Sequence, residues 1–428
     1  MLKKISVGEV RLGMHLHALC GAWLDHPFWK SSFVLRTPAE LDQLRKSNVS
    51  ECWIDTSKGL DVGQPCATNA AQVPPPPPPP IGAPVQAAVS ITLSPEPAVP
   101  AAHATSIEEE LHHAAALVRR SRRAVQSLLS EARMGHAVDA HRCLPLVSDI
   151  AASVWRNSGA LVSLARLKTH DDYSYMHSVA VCALMVTLSR QLGHAEDQAR
   201  EAGLAGLLHD IGKVKMPLDL LNKPSKLTGT EYEVMKSHPL RGHHLLRESA
   251  GTTELALDVC LHHHERPDGR GYPYGLAGAS LSVPARMGAL CDVYDAITSN
   301  RPYKASWDPA DSVSKMATWA SAGQFDSALF QVFVKSLGIY PTGSLVRLES
   351  GRLAVVIEQN PRTLVSPCVR VFFSTQSGMP IRPEVLDLSQ SACADRIAAR
   401  ESNAKWQFRH LDVLWAGEEI LRGTGRAT

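Results

Sequence analysis

Seven side chains in the middle of the chain are of the types that bind metal ions: His177, His209 with Asp210, His238, His263 with His264, and Asp292. They mix imidazole nitrogen with carboxylate oxygen and include no thiolate. Such donors suit Fe, Mn, Co, Ni or Zn, and not Cu(I) or an iron–sulfur cluster. Seven donors exceed what one tetrahedral ion takes. They suit two ions about 3.5–4 Å apart, joined by a carboxylate and a water-derived hydroxide. The adjacent His209-Asp210 pair fits that demand: the imidazole holds one ion while the neighbouring carboxylate spans both. The chain has 19 His, ten of them between His170 and His264. Four of the ten, His170, His194, His243 and His244, read as surface or satisfied core residues. His262 reads as a helix-face residue or a hydrogen-bonded support for a ligand.

Donors so far apart in sequence must converge from several elements. Between Leu144 and Gly338 apolar residues recur at helical spacing, which predicts helices at Met176–Leu192, Gln198–Leu208, Glu231–Arg247, Glu254–His264 and Ala285–Thr298. A bundle of such helices aims ligands into its interior. Ser106 with Glu109 and Thr228 with Glu231 have capping-box spacing, the first opening a helix over Ile107–Ala132. After Tyr340, the runs Ser344–Leu348, Leu353–Glu358 and Val369–Ser374 are short, Val-rich and separated by turn residues, so they read as antiparallel strands. Seven consecutive Pro at 74–80 mark a semi-rigid linker, since proline neither continues a helix nor donates to a sheet. In the first 65 residues Lys4–Val10 and Ser50–Asp55 read as strands and Pro38–Ser47 as a helix. The predicted class is multidomain and mainly α. It has a small α+β domain at 1–65, a linker at 66–104, a helical domain at 105–340 and a β-rich extension at 341–428.

Composition narrows the function. The net charge is +2, with 44% apolar and 20% charged residues. That excludes a strongly basic nucleic-acid binder and an acidic disordered chain, and Arg119, Arg120, Arg122 and Arg123 read as a solvated helix face. No run of 18 apolar residues predicts a membrane span, and no apolar core follows the first lysines as a secretory signal requires. Nine Cys without a CxxC pair suit a reducing cytoplasm.

The stretch Leu208-His209-Asp210-Ile211-Gly212-Lys213 resembles the HD superfamily of metal-dependent phosphohydrolases. His263-His264-Glu265-Arg266-Pro267-Asp268-Gly269-Arg270-Gly271-Tyr272-Pro273 is similar to the HHExxDGxGYP motif of its HD-GYP subgroup. The run from Asp292 through Tyr294-Asp295-Ala296 to Arg301-Pro302-Tyr303-Lys304 is similar to that subgroup's DxYDAxTxxRPY segment. The resemblance spans roughly residues 145–335. It implies a phosphodiesterase that cuts cyclic di-GMP to pGpG or GMP with two divalent ions, Fe or Mn. It assigns His177, His209, Asp210, His238, His263, His264 and Asp292 as ligands, with Asp210 bridging, and Lys213 beside the scissile phosphate. It also assigns Arg301 and Lys304 to the phosphates, and Asp295 and Tyr272 to the region of the guanine and the substrate loop. Members with a third metal carry a Glu where this chain has Tyr173, so two ions are expected. Residues 1–65, through Gly13-Met14, Trp23, Pro27-Phe28 and Ile54–Gly59, resemble an uncharacterised domain that precedes HD-GYP domains. A homodimer or a signalling partner docked through that domain is the expected association. The alternative is a catalytically weak member that binds nucleotide or docks a partner; the filled ligand set argues for the enzyme.

The chemistry is coherent. A phosphodiester repels hydroxide, so hydrolysis needs charge neutralisation and an activated water, which two metal ions supply. A lysine such as Lys213 stabilises charge growing on the phosphoryl group. Arg301 offers a planar fork and Lys304 a point charge for phosphate. Tyr272 offers an aromatic face in a loop shaped by Gly269, Gly271 and Pro273. Gly212 is expected to permit a tight turn, and Glu265 to orient the loop or a ligand imidazole.

Overall fold

The computed structural model describes residues 2–19, 33–35, 37–45, 51–62, 105–168, 173–223, 225–299 and 306–423. The chain divides into two compact units, Met1–Ile91 and Thr92–Thr428.

In the first unit an antiparallel sheet is built from β1 (Leu2–Ser6), β2 (His15–Leu19), β3 (Phe33–Val34) and β4 (Glu51–Asp55), in the order β1-β4-β2-β3, with one helix, α1 (Pro38–Arg45). Ile5, Met14, Leu16, Leu35, Leu44, Cys52 and Ile54 form its core. The first strand ends at Ser6, short of the expected Val10. The Ser6 side chain accepts the Gly8 amide and Glu9 reaches back to the Ser6 amide, so a capped 3-10 turn replaces the strand.

The second unit opens on α2 (Ile107–Arg133), whose Ser106 cap accepts the Glu109 amide. It continues through α3 (Leu144–Arg156), α4 (Ser158–Arg166), α5 (Tyr173–Gln191), α6 (Glu196–Leu208), α7 (Leu218–Leu221), α8 (Gly229–Met235), α9 (His238–Arg247), α10 (Glu254–His262), α11 (Val283–Thr298), α12 (Pro309–Ser321) and α13 (Ser327–Leu337). Helix α5 is the axis. Val179 to Val186 are all buried, and its neighbours include α2, α3, α4, α6, α11 and α13. A helix apolar on every face belongs in the centre of a bundle. The single helix expected over Glu231–Arg247 is two. Pro239 has no amide to extend the preceding turn, so α8 stops at Met235 and a new helix starts with Pro in its first turn.

The C-terminal sheet has five antiparallel strands, β5 (Leu345–Leu348), β6 (Arg352–Glu358), β7 (Cys368–Ser374), β8 (Met379–Asp387) and β9 (Ile397–Arg400), ordered β8-β7-β6-β5-β9. The two edge strands were not expected. Pro380 and Pro383 disguise β8, and proline is tolerated there because one side of an edge strand needs no donors. Three short helices follow, α14 (Asn403–Trp406), α15 (Leu411–Ala416) and α16 (Glu418–Gly423). Trp415, Ile420 and Leu421 are buried in the same apolar cluster as Leu111 and Val118 of α2, with Val355 of β6. The chain after 340 therefore packs back on the bundle.

Candidate metal centre

Helix ends dominate the site. His209 is the residue after α6, and Asp210 precedes a 3-10 turn over Ile211–Lys215. His238 opens α9, and His263 and His264 follow α10. His177 lies in the first turns of α5, and Asp292 and Asp295 share one face of α11, three residues apart. Helix ends carry carbonyls without intrahelical partners, and the imidazoles use nearby ones. Nδ1 of His209 donates to the Gly206 carbonyl at 2.8 Å, that of His238 to Met235 at 2.8 Å, and that of His263 to Cys260 at 3.0 Å. A carbonyl only accepts, so each Nδ1 carries the proton and each Nε2 lone pair faces the site.

The seven expected donors fall into two groups: Asp210, His238, His263 and His264, and His177, His209 and Asp292. Within each, one donor atom per residue lies within 4.8 Å of the others. Asp210 connects them. Its Oδ1 lies 3.2 Å from His238 Nε2 and 3.8 Å from His263 Nε2. Its Oδ2 lies 3.4 Å from His177 Nε2 and 3.3 Å from His209 Nε2. Asp292 Oδ1 is 3.0 Å from His177 Nε2, and its Oδ2 is 3.8 Å from His264 Nδ1. His209 Nε2 and Asp210 Oδ1 are buried without a hydrogen-bond partner. Each such orphan costs about 1–3 kcal/mol unless something binds it, so the residues present fit a metal centre.

The electrostatics agree. Burial works against the Asp210 carboxylate, yet Lys213 and the surrounding imidazoles hold its pKa well below the usual range. Asp292 is likewise held low against burial, chiefly by His177. Burial pushes His263 well down and His264 down to about 3, and neighbouring imidazoles add to both, leaving the two rings neutral as ligation requires. Burial also works to lower His177, but Asp210, Asp292 and Asp295 outweigh it and raise its pKa to about 10. Three carboxylates converge where positive charge is favoured.

The remaining expected residues are placed as follows. The Lys213 ammonium sits on Asp210 Oδ2. The Tyr272 ring stacks on His264, centroids 4.6 Å apart, with Lys236 Nζ 5.9 Å from its own centroid. Asp295 is buried among side chains: Oδ2 accepts His177 Nδ1 at 2.6 Å and the Lys168 ammonium, and Oδ1 accepts Ser299 at 3.2 Å. Arg301 and Lys304 lie outside the described residues. His262 turns to Asp258 at 2.7 Å, and His194 to Ser189 at 2.9 Å. Gly212 sits in the 3-10 turn over Ile211–Lys215 but without a positive φ. A Cβ there meets the His238 carbonyl oxygen at 1.9 Å, so its role is to let the 3-10 turn press against α9.

Sequence reasoning missed Lys168, for which no motif exists, and the contact of Asp295 with His177, for which the three-residue spacing from Asp292 was a usable signal. Glu265 is the scaffold of the Gly-rich loop. Its buried carboxylate accepts the amides of Tyr274 at 2.6 Å, Gly275 at 3.1 Å and Leu276 at 3.0 Å. Glu265→Ala leaves three donors without this acceptor. The expected result is a loss of about 3 kcal/mol in stability and a KM raised about tenfold or more with metal content retained, read by thermal melting, kinetics and metal analysis. An unchanged KM would detach the loop from substrate binding.

The HD domain family matches residues 145–329, and a domain of unknown function, DUF3391, matches residues 2–143. A cyclic di-GMP phosphodiesterase of Pseudomonas aeruginosa is 51% identical over 426 residues, covering 99% of this chain and 98% of that protein. The chain belongs to the HD-GYP phosphodiesterase family. Two further relatives match part of it. A cyclic di-GMP phosphodiesterase response regulator of Xanthomonas campestris is 45% identical over 121 residues, 28% of this chain and 32% of that protein. A 3'3'-cGAMP-specific phosphodiesterase of Vibrio cholerae is 35% identical over 165 residues, 39% of this chain and 38% of that protein. In HD-GYP terms the HD pair is His209-Asp210, and the GYP loop is the one that Glu265 holds. Among the described residues no helix is long and apolar enough to cross a membrane.

Proposed function

We propose that this HD-GYP protein hydrolyses cyclic di-GMP at a centre of two divalent ions, Fe or Mn, held by the two ligand groups that Asp210 joins. The observation that supports this reading is the division of one buried carboxylate between two sets of imidazoles. Bound metal supplies charge neutralisation at the phosphate and activation of a water. Hydrolysis adds water across one P–O bond and returns a proton to the leaving ribose oxygen, giving pGpG, and a second such cut would give GMP.

The protein's own groups then have separate tasks. His177, His209 and Asp292 would hold one ion, His238, His263 and His264 the other, and Asp210 would serve both. Lys213, whose ammonium is anchored on Asp210, meets the charge that grows on the phosphoryl oxygens. The ring of Tyr272 walls the site beside His264 and offers a face to a base. Arg301 and Lys304 bind phosphate oxygens, the first as a fork and the second as a point charge. The proposed compartment is the cytoplasm, and the seven described cysteines are free thiols.

The test is turnover with product identification. Chelation is expected to lower the rate at least about 100-fold, and Mn or reduced Fe to restore it. Turnover unaffected by chelation would remove the metal from the mechanism. Hydrolysis of 3'3'-cGAMP with none of cyclic di-GMP would overturn the substrate.

A further inference from the structure

We propose that Lys168 and Asp295 form a buried positioning pair for His177 and thereby set the affinity of one of the two metal positions. The inference rests on the two-ion reading above.

Lys168 follows α4, with its amide donating to the Arg166 carbonyl at 2.9 Å. Its side chain is fully buried, and that of Asp295 is 2% exposed. The ammonium bonds Asp295 Oδ2 and, at 3.0 Å, the Ser299 hydroxyl, which in turn donates to Asp295 Oδ1 at 3.2 Å. This group presents Oδ2 to His177 Nδ1 at 2.6 Å. The imidazole is thereby fixed with Nε2 turned to Asp292 at 3.0 Å and Asp210 at 3.4 Å.

His177 differs here from three of the other imidazoles. Nδ1 of His209, His238 and His263 donates to main-chain carbonyls, whereas Nδ1 of His177 donates to a carboxylate. A carboxylate partner both orients a ligand imidazole and makes it a stronger donor. It also adds a third negative charge to a pocket that already holds Asp210 and Asp292. A buried carboxylate needs a buried counter-charge, and Lys168 provides it at the same Oδ2 that accepts His177 Nδ1. Asp292 and Asp295 are carried by one helix, so α11 supplies both a ligand and the support of another ligand.

The pair acts through His177, so its signature lies in metal binding and not only in turnover. Cobalt(II) titration of the full chain, followed by visible absorption, reads each ion directly. Asp295→Ala is expected to weaken one of two ions about 10–100-fold and leave the other unchanged. Asp295→Asn retains an oxygen acceptor and is expected to recover part of that loss. Asp295→Ala strands the Lys168 charge and has a folding risk. The double variant Lys168→Met with Asp295→Leu removes both charges and is expected to fold while still binding one ion weakly. Two ions bound at wild-type affinity by either folded variant would overturn the proposal, as would a wild-type chain that binds fewer than two. A wild-type chain that binds two ions but leaves cyclic di-GMP intact would sink the substrate reading alone.

Discussion

Asp210→Asn is expected to reduce bound metal from two ions toward one or none, and kcat at least about 1,000-fold. Its two oxygens face different sets of imidazoles, Oδ1 toward His238 and His263 and Oδ2 toward His177 and His209. The amide keeps the size but loses the charge, and its NH2 can only donate. It cannot serve both positions. On the two-ion reading, several kcal/mol of charge stabilisation is at stake, and each 1.36 kcal/mol is a factor of ten in rate. The fold should survive, because α5, α6 and α10 bury apolar faces independent of this side chain. The measurement combines metal analysis, steady-state kinetics and circular dichroism. A folded variant with both ions and activity within tenfold of wild type would remove Asp210 from the bridging role.

Gly212→Ala is the second large effect, and it acts through packing. The added methyl meets the His238 carbonyl oxygen at 1.9 Å and the Gly242 amide nitrogen at 2.6 Å. Both are backbone atoms, so no rotamer change relieves the clash. The 3-10 turn must move away from α9, and His238 and Lys213 move apart with it. The expected cost is more than about 3 kcal/mol, a fall in apparent melting temperature of at least about 5 °C, and weaker metal binding. Gly278→Ala is the control for glycine replacement as such, since nothing lies within 4 Å of its Cβ position, although its φ of +50° carries its own strain. A Gly212→Ala protein that melts with wild type would show that the turn has room to shift.

That these seven His and Asp side chains converge was legible because metal chemistry restricts residue types, and because adjacent pairs such as His209-Asp210 are visible without knowing the fold. The central helices were legible for a related reason: their apolar residues repeat at helical spacing. What the sequence hid was context. Pro239 could have kinked one helix or begun another, and only packing decides. Strand β8 carries two prolines that read as loop until its edge position is known. The resemblance assigned Asp295 to the region of the guanine, and its contact with His177 Nδ1 was not visible before the helices were brought together. Lys168 had no pattern at all. A buried lysine looks like any exposed one until its partner 127 residues away is brought against it.

The carbonyl-propped imidazoles have a consequence for how this centre tolerates sequence drift. Every residue type supplies a main-chain carbonyl, so no single side-chain replacement at Gly206, Met235 or Cys260 can delete the group that orients His209, His238 or His263. The centre is thus a small mutational target at the rings of His238 and His263, whereas a side chain at Gly206 would press on the Val181 carbonyl oxygen at 2.9 Å. His177 is the exception, because its prop is a side chain.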